Sequence, residues 1–310
     1  MRSPAPVIFI NRGNSPFLFL ACTRACQTNP GREIILLGDS STAHYRWIPG
    51  IQHINFSPYQ QGARRLAASF ENDSSNGMEF ELICLQRWFI LHEFLAGRGT
   101  EARGIYFDSD ILVYDNLRVP EADFAPYGMT FQKCSGHVCF INSSFVLGEF
   151  VQFILDHYEN PACKQALKNH TESVRQTVPA WNASDMSFFL MFHDRHPDKM
   201  TDLHFPIKDR YALDQTVDTD YGGFELENGL KKIVWQNGRP YCRHLPTGKF
   251  IQFYTLHFQG ESKKLMRHFC PALGTWANLG YSVNQIYYWV WYFLRAIQRR
   301  IAPYRCASRL

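Results

Sequence analysis

Two short apolar runs near the start, Val7–Ile10 and Glu33–Leu37, bracket a stretch with helix signals, and each run ends in polar residues. This strand, helix, strand order constrains the fold more than any other feature, because it implies a parallel sheet covered by helices. Ser15 is placed to cap the helix and Pro16 takes its first position, where a missing N–H costs nothing. Asn29-Pro30-Gly31 then stops it. Ligands of such sheets bind beyond the carboxyl ends of the strands. Asn11, Asn14 and Asp39 therefore stand where a nucleotide can sit, although each serves equally well as a loop cap.

A chain of 310 residues, 45% hydrophobic, can bury one large α/β domain or a core with a small appendage. The aromatic share of 15% suits either an ordinary core or aromatic faces against sugar rings. Nine cysteines, an odd number with no Cys-x-x-Cys pair, give neither zinc spacing nor a disulfide framework, so a reducing cytoplasm is expected. Val7–Ile10 is too short for a secretory leader, and no apolar run is long enough to span a bilayer.

Further along, Glu79–Leu95 reads as a helix with Phe80, Ile83, Cys84, Ile90, Leu91 and Phe94 at apolar positions. Arg87 lies on the same stripe, one turn from Ile83 and from Leu91. A guanidinium there needs an anion, either a protein carboxylate or, the favoured reading, a ligand phosphate. Gly104–Phe107 is a buried strand with Asp108-Ser109-Asp110 at its end, and Ile111–Val113 resumes the apolar run. Val138–Asn142 is another strand, with a helix after it to about Tyr158. Asp185–Phe192 fits a helix, Phe250–His257 a late strand, and residues 196–249 an irregular region with a hairpin or two.

The chemistry is expected at Asp108 and Asp110. The chain is expected to turn at this strand end, with both carboxylates brought to one side. There they can hold a hard divalent cation with positions left open for phosphate oxygens. A strand-end histidine, His257, is a fitting third ligand for manganese. Gly260 allows close backbone approach, and Lys263 can reach a diphosphate.

These residues resemble the GT-A-fold glycosyltransferases, nearest in pattern to the family-8 group with glycogenin-like and lipooligosaccharide galactosyltransferase members. The resemblance covers roughly residues 6–265. It is carried by Ile105–Val113 with its Asp-x-Asp, by Phe140-Ile141-Asn142-Ser143-Ser144, and by His257, Gly260 and Lys263 as His-x-x-Gly-x-x-Lys. It implies a Rossmann-like mixed sheet flanked by helices and a transferase domain at 1–265. It further implies Mn2+ or Mg2+ held by Asp108, Asp110 and His257, a nucleotide-sugar donor (a UDP-sugar first), and a saccharide or lipid-linked acceptor. Arg87 and Lys263 would contact the donor, and Asn142 and Asp185 its sugar hydroxyls. Three positions depart from the pattern: Ser144 replaces a glycine, Met186 replaces the glutamine of an Asp-Gln pair, and the Pro-Trp after the lysine is absent. Met186 cannot hydrogen-bond as an amide would, so retaining stereochemistry does not follow.

Residues 266–310 read as a helical extension. Tyr281 to Arg300 runs from aromatic to basic, and residues 262–310 carry eight Lys and Arg with no acid. With a net charge of +4 overall and +8 in that tail, residues 1–261 carry −4. Aromatic residues favour the membrane interface and arginines its anionic headgroups, so the segment 281–310 either lies on the inner face of a membrane or packs on the core. Two other readings of the chain are a non-catalytic nucleotide-sugar-binding protein and an Asp-x-Asp phosphohydrolase. The second lacks the hydroxyl residue expected two places after Asp110, where Leu112 stands. An acidic body without a nucleic-acid motif argues against DNA or RNA partners.

Overall fold

The computed structural model describes residues 3–72, 76–203, 206–270, 277–290 and 292–293. The chain opens with β1 (Val7–Asn11), α1 (Pro16–Thr28), β2 (Ile34–Gly38) and β3 (Ile51–Asn55), then α2 (Gln61–Ser69), α3 (Met78–Ala96) and β4 (Gly104–Phe107). It continues through β5 (Ile111–Val113), α4 (Arg118–Phe124), β6 (Met129–Phe131), β7 (Val138–Ile141), α5 (Ser144–Glu159), α6 (Pro161–Arg175) and α7 (Asp185–Arg195). The last part is built of strands: β8 (Met200–Asp202), β9 (Tyr211–Leu213), β10 (Leu226–Glu227), β11 (Leu230–Lys231), β12 (Val234–Gln236), β13 (Arg239–Arg243) and β14 (Phe250–His257).

Seven strands form a mixed sheet in the order β3-β2-β1-β4-β7-β6-β8. The four from β3 to β4 run parallel, whereas β7 is antiparallel to both of its neighbours, β4 and β6. Alternation sorts the side chains of β1 to the two faces. Val7 and Phe9 join one core with α1 and the second sheet, while Ile8 and Ile10 join another with α3, α5 and α7. Both faces are covered, which explains why the strands read as continuous apolar runs rather than alternating ones.

At the end of β4 the chain leaves this sheet. Asp108-Ser109-Asp110 is the crossing, and β5 enters a second sheet ordered β12-β13-β14-β5, with β9 also on β14. Residues 196–249, expected to be irregular, contain the two hairpins β10–β11 and β12–β13, and also supply an edge of each large sheet. The helix α1 begins as expected, with the Ser15 side chain accepting from Phe17 N–H and Pro16 in first place. Three helices, α2, α4 and α6, were not expected. The start of α6 nonetheless carries a readable signal, since Asn160 caps Ala162 N–H ahead of Pro161.

Residues 277–290 and 292–293 are helical, so the helix is already formed at Ala277, ahead of the expected Tyr281; the arginines at 295, 299, 300, 305 and 309 lie outside the described residues. The helix docks on the core. Gly280 packs so close to Phe19 that an added Cβ would meet its ring at 2.8 Å. Buried Asn284 accepts from Asn14 Nδ2 at 3.2 Å and lies 3.0 Å from His44 Nε2. Its outer side leaves Val283, Ile286, Trp289 and Val290 exposed. No helix among the described residues is long and apolar enough to cross a membrane. The eight cysteines among them are all unpaired.

Candidate metal centre

The carboxylates are presented by a turn, as expected. Ile111 N–H reaches back to Asp108 C=O at 3.3 Å, so the chain bends between the two sheets and both side chains reach one cavity. The distant histidine arrives by register. In the antiparallel pair of β14 and β5, His257 stands opposite Ile111, and Phe258 N–H donates to Asp110 C=O at 3.0 Å. A separation of more than 140 residues in sequence therefore becomes a cross-strand contact. Asp108, Asp110 and His257 each offer a ligand atom within 4.8 Å of the others.

Asp110 is nearly sealed, and its Oδ1, 3.4 Å from His257 Nε2, has no hydrogen-bond partner. Lys263 Nζ lies 3.1 Å from the other oxygen. Burial alone would raise the carboxyl's pKa, but the imidazole and then the ammonium outweigh it and hold the group well below the usual carboxylate range. Burial works against a charged His257 too, yet Asp110 outweighs that effect and the imidazole is pushed upward. His257 Nδ1 faces Gln215 C=O at 2.5 Å. A carbonyl can only accept, so that nitrogen carries a proton and Nε2 is the ligand atom of the neutral ring. Two carboxylates and one imidazole form a donor set for manganese or magnesium, and the orphaned Asp110 oxygen is what a cation would satisfy.

Arg87 finds protein carboxylates. Its Nη1 donates to Asp108 Oδ1 and its Nη2 to Asp185 Oδ2, both at 2.6 Å, and Trp88 Nε1 shares the second oxygen at 3.2 Å. Tyr106, two residues before Asp108 on the same strand face, donates its hydroxyl to Asp108 Oδ1 at 2.5 Å. The sequence reading missed Tyr106, though the period of two along β4 was the available signal.

The cavity measures about 720 Å³. Asn11, Arg87, Asp108, Asp110, Asp185, His257 and Lys263 all line it, and so do Met186, Ile83 and Phe80. Other expected residues serve the loops around it. Asp39 accepts from Gly13 N–H and Ser41 N–H at 2.9 Å each, and Asn14 is buried against the C-terminal helix. Gly260 has a φ of +58° where the chain turns out of β14, a conformation that favours glycine.

Asn142 does not meet the expectation of a sugar contact. Because β7 runs antiparallel to β4, Val138 pairs with Phe107 near the cavity and Ile141 pairs with Gly104 at the far end. The Asn142 amide donates to Phe124 C=O and Tyr127 C=O, a loop-holding role at the opposite edge of the sheet from Asp108.

In its mixed sheet, and in an Asp-x-Asp turn facing a distant histidine, the chain resembles the GT-A-fold glycosyltransferases. Among solved structures it is similar to the galactosyltransferase LgtC in complex with donor and acceptor sugar analogs, at 14% identity and a TM-score of 0.48, covering 87% of this chain and 96% of that one. It is also similar to mouse xyloside xylosyltransferase 1, at 12% identity and a TM-score of 0.44, covering 64% and 85%. A third is the glycosyltransferase GlyE of Streptococcus pneumoniae, at 16% identity and a TM-score of 0.41; the match covers 86% of this chain and 61% of GlyE. No family model matches the sequence, and no curated protein matches it.

Proposed function

We propose that the protein is a metal-dependent hexosyltransferase that moves a sugar from a nucleotide-sugar donor, a UDP-sugar first, to a saccharide or lipid-linked acceptor, as in polysaccharide biosynthesis. The observation that carries this reading is the meeting of Asp108, Asp110 and His257 in one polar cavity. Mn2+ or Mg2+ held there would neutralise the charge that develops on the departing diphosphate. Lys263 and Arg87 add positive charge on either side of that position. Asn11 lines the nucleotide end, with Asn14, Asp39 and Gly260 shaping the surrounding loops. Asp185, held by Arg87 and Trp88, presents a carboxylate to the sugar hydroxyls. It is also the first candidate for a base if the reaction inverts.

Met186 favours a second reading, a protein that binds nucleotide sugars without transferring them, because a thioether lines the cavity where the resemblance expects an amide. Incubation with a panel of nucleotide sugars and manganese separates the two, since a transferase consumes donor by transfer or by leakage to water. Asp108→Ala and Asp110→Ala should each abolish this consumption while the fold survives. Wild-type turnover in either variant contradicts the metal assignment.

For its location we propose the cytoplasmic face of a membrane, with residues 281–310 on anionic headgroups. The exposed apolar side of the helix at 277–290 and the acid-free basic tail support this. Flotation with anionic liposomes should carry the whole chain and leave behind one ending at residue 280; equal flotation ends the idea.

A further inference from the structure

Behind the cation centre lies a buried histidine that the proposed reaction does not use. His137 immediately precedes β7 and is 1% exposed. Its backbone carbonyl accepts Asp108 N–H at 2.9 Å. Its ring lies flat on His257, with centroids 4.3 Å apart and planes 13° from parallel. Its Nε2 faces Asp214 C=O at 3.2 Å. One residue thus touches the segment bearing the carboxylates, the ring of the candidate histidine ligand, and the loop after β9.

That loop is what orients His257. Asp214 Oδ2 accepts His257 N–H at 3.2 Å, Gln215 C=O faces His257 Nδ1, and Val217 N–H donates to His257 C=O at 2.9 Å. Lys231, buried to the same degree as Asp214, closes the cluster at 3.0 Å from Asp214 Oδ1. A ring that ligates through Nε2 needs its other nitrogen engaged and its plane fixed, or the ligand atom wanders from the ion. Gln215 does the first and the face of His137 does the second.

We propose that His137 is a positioning residue for the cation centre, tying Asp108 to the plane of His257 through its carbonyl, its ring face and its Nε2–H. The inference rests on the metal-centre reading above. An aromatic ring without nitrogen would supply the face but not the donor to Asp214, so histidine is the residue that does both.

The test measures Mn2+ binding in the presence of UDP, by the loss of the free-ion paramagnetic resonance signal, with thermal unfolding followed on the same samples. His137→Phe keeps the face and loses the donor; His137→Gln keeps a donor and loses the face. Each should weaken Mn2+ binding about 10-fold, the scale of lost outer-shell partners. Wild-type affinity in both variants overturns the role. Asp110→Asn is the control. If the wild type binds Mn2+ no better than Asp110→Asn, the metal reading falls and this inference with it. If only Asp110→Asn loses binding, the role of His137 alone falls. A measurement that needs no variant is 15N resonance of the histidines in the wild-type protein. It should show a His137 proton on Nε2, facing Asp214 C=O, and a ring with its proton on Nδ1 alone contradicts the proposal.

Discussion

Two clusters of carboxylate and cation sit one layer apart, and they differ in closure. In the rear one, Asp214 and Lys231 are each 1% exposed in their side chains; Lys231 also donates to Thr216 C=O and Thr219 C=O, and Asp214 accepts from the backbone of His257. Charge is matched and the cluster is sealed. In the front one, three carboxylates, Asp108, Asp110 and Asp185, face Arg87, Lys263 and the His257 imidazole across an open cavity. Buried ion pairs are poor sources of net stability but costly to break. The rear pair therefore acts as scaffold. The front one keeps capacity for a further positive charge, which a scaffold would not need.

Substitutions can break this contrast, and their expected effects on stability fall in a clear order. Lys231→Met strands the Asp214 charge and should cost about 3–5 kcal/mol in denaturant titrations; a loss under about 1 kcal/mol would mean that the rear pair is no scaffold. Arg87→Met removes hydrogen bonds to two carboxylates at the cavity wall and should cost about 2 kcal/mol. Divalent cations should raise its melting temperature more than that of the wild type, because an ion can replace the lost charge; an equal rise contradicts that exchange. Asn284→Ala loosens the C-terminal helix from Asn14 and His44, at about 1 kcal/mol, and proteolysis should then cut the tail sooner; unchanged proteolysis would mean that Asn284 does not fix the helix. Asp108→Asn keeps an oxygen for Arg87 and Tyr106 and should cost less than about 1 kcal/mol, yet it should lose metal-dependent donor consumption. Retained consumption would place the ion elsewhere.

The front cluster was more legible in the sequence than the rear one. An apolar strand ending in Asp-x-Asp carries its own signal, and a strand ending at His257 carries another. Their meeting depends on register between β5 and β14, which no local pattern records; the family resemblance supplied it. Asp214, Lys231 and His137 belong to a region of strands two to five residues long, or stand singly before a strand, where periodicity has too few residues to act. Asn142 shows a different failure. Its sugar contact followed from the resemblance of Phe140–Ser144 alone, and the direction of β7, antiparallel to β4, puts it at the other edge of the sheet. Arg87 was rightly read as needing an anion, but the partners Asp108 and Asp185 came from distant segments that the helix pattern does not mention.

The most direct measurement is anomalous diffraction at the manganese edge from crystals grown with Mn2+ and UDP. The account predicts one strong peak bonded to Asp108, Asp110 and Nε2 of His257, with Lys263 drawn off Asp110. An absent peak, or one bonded to other residues, contradicts it.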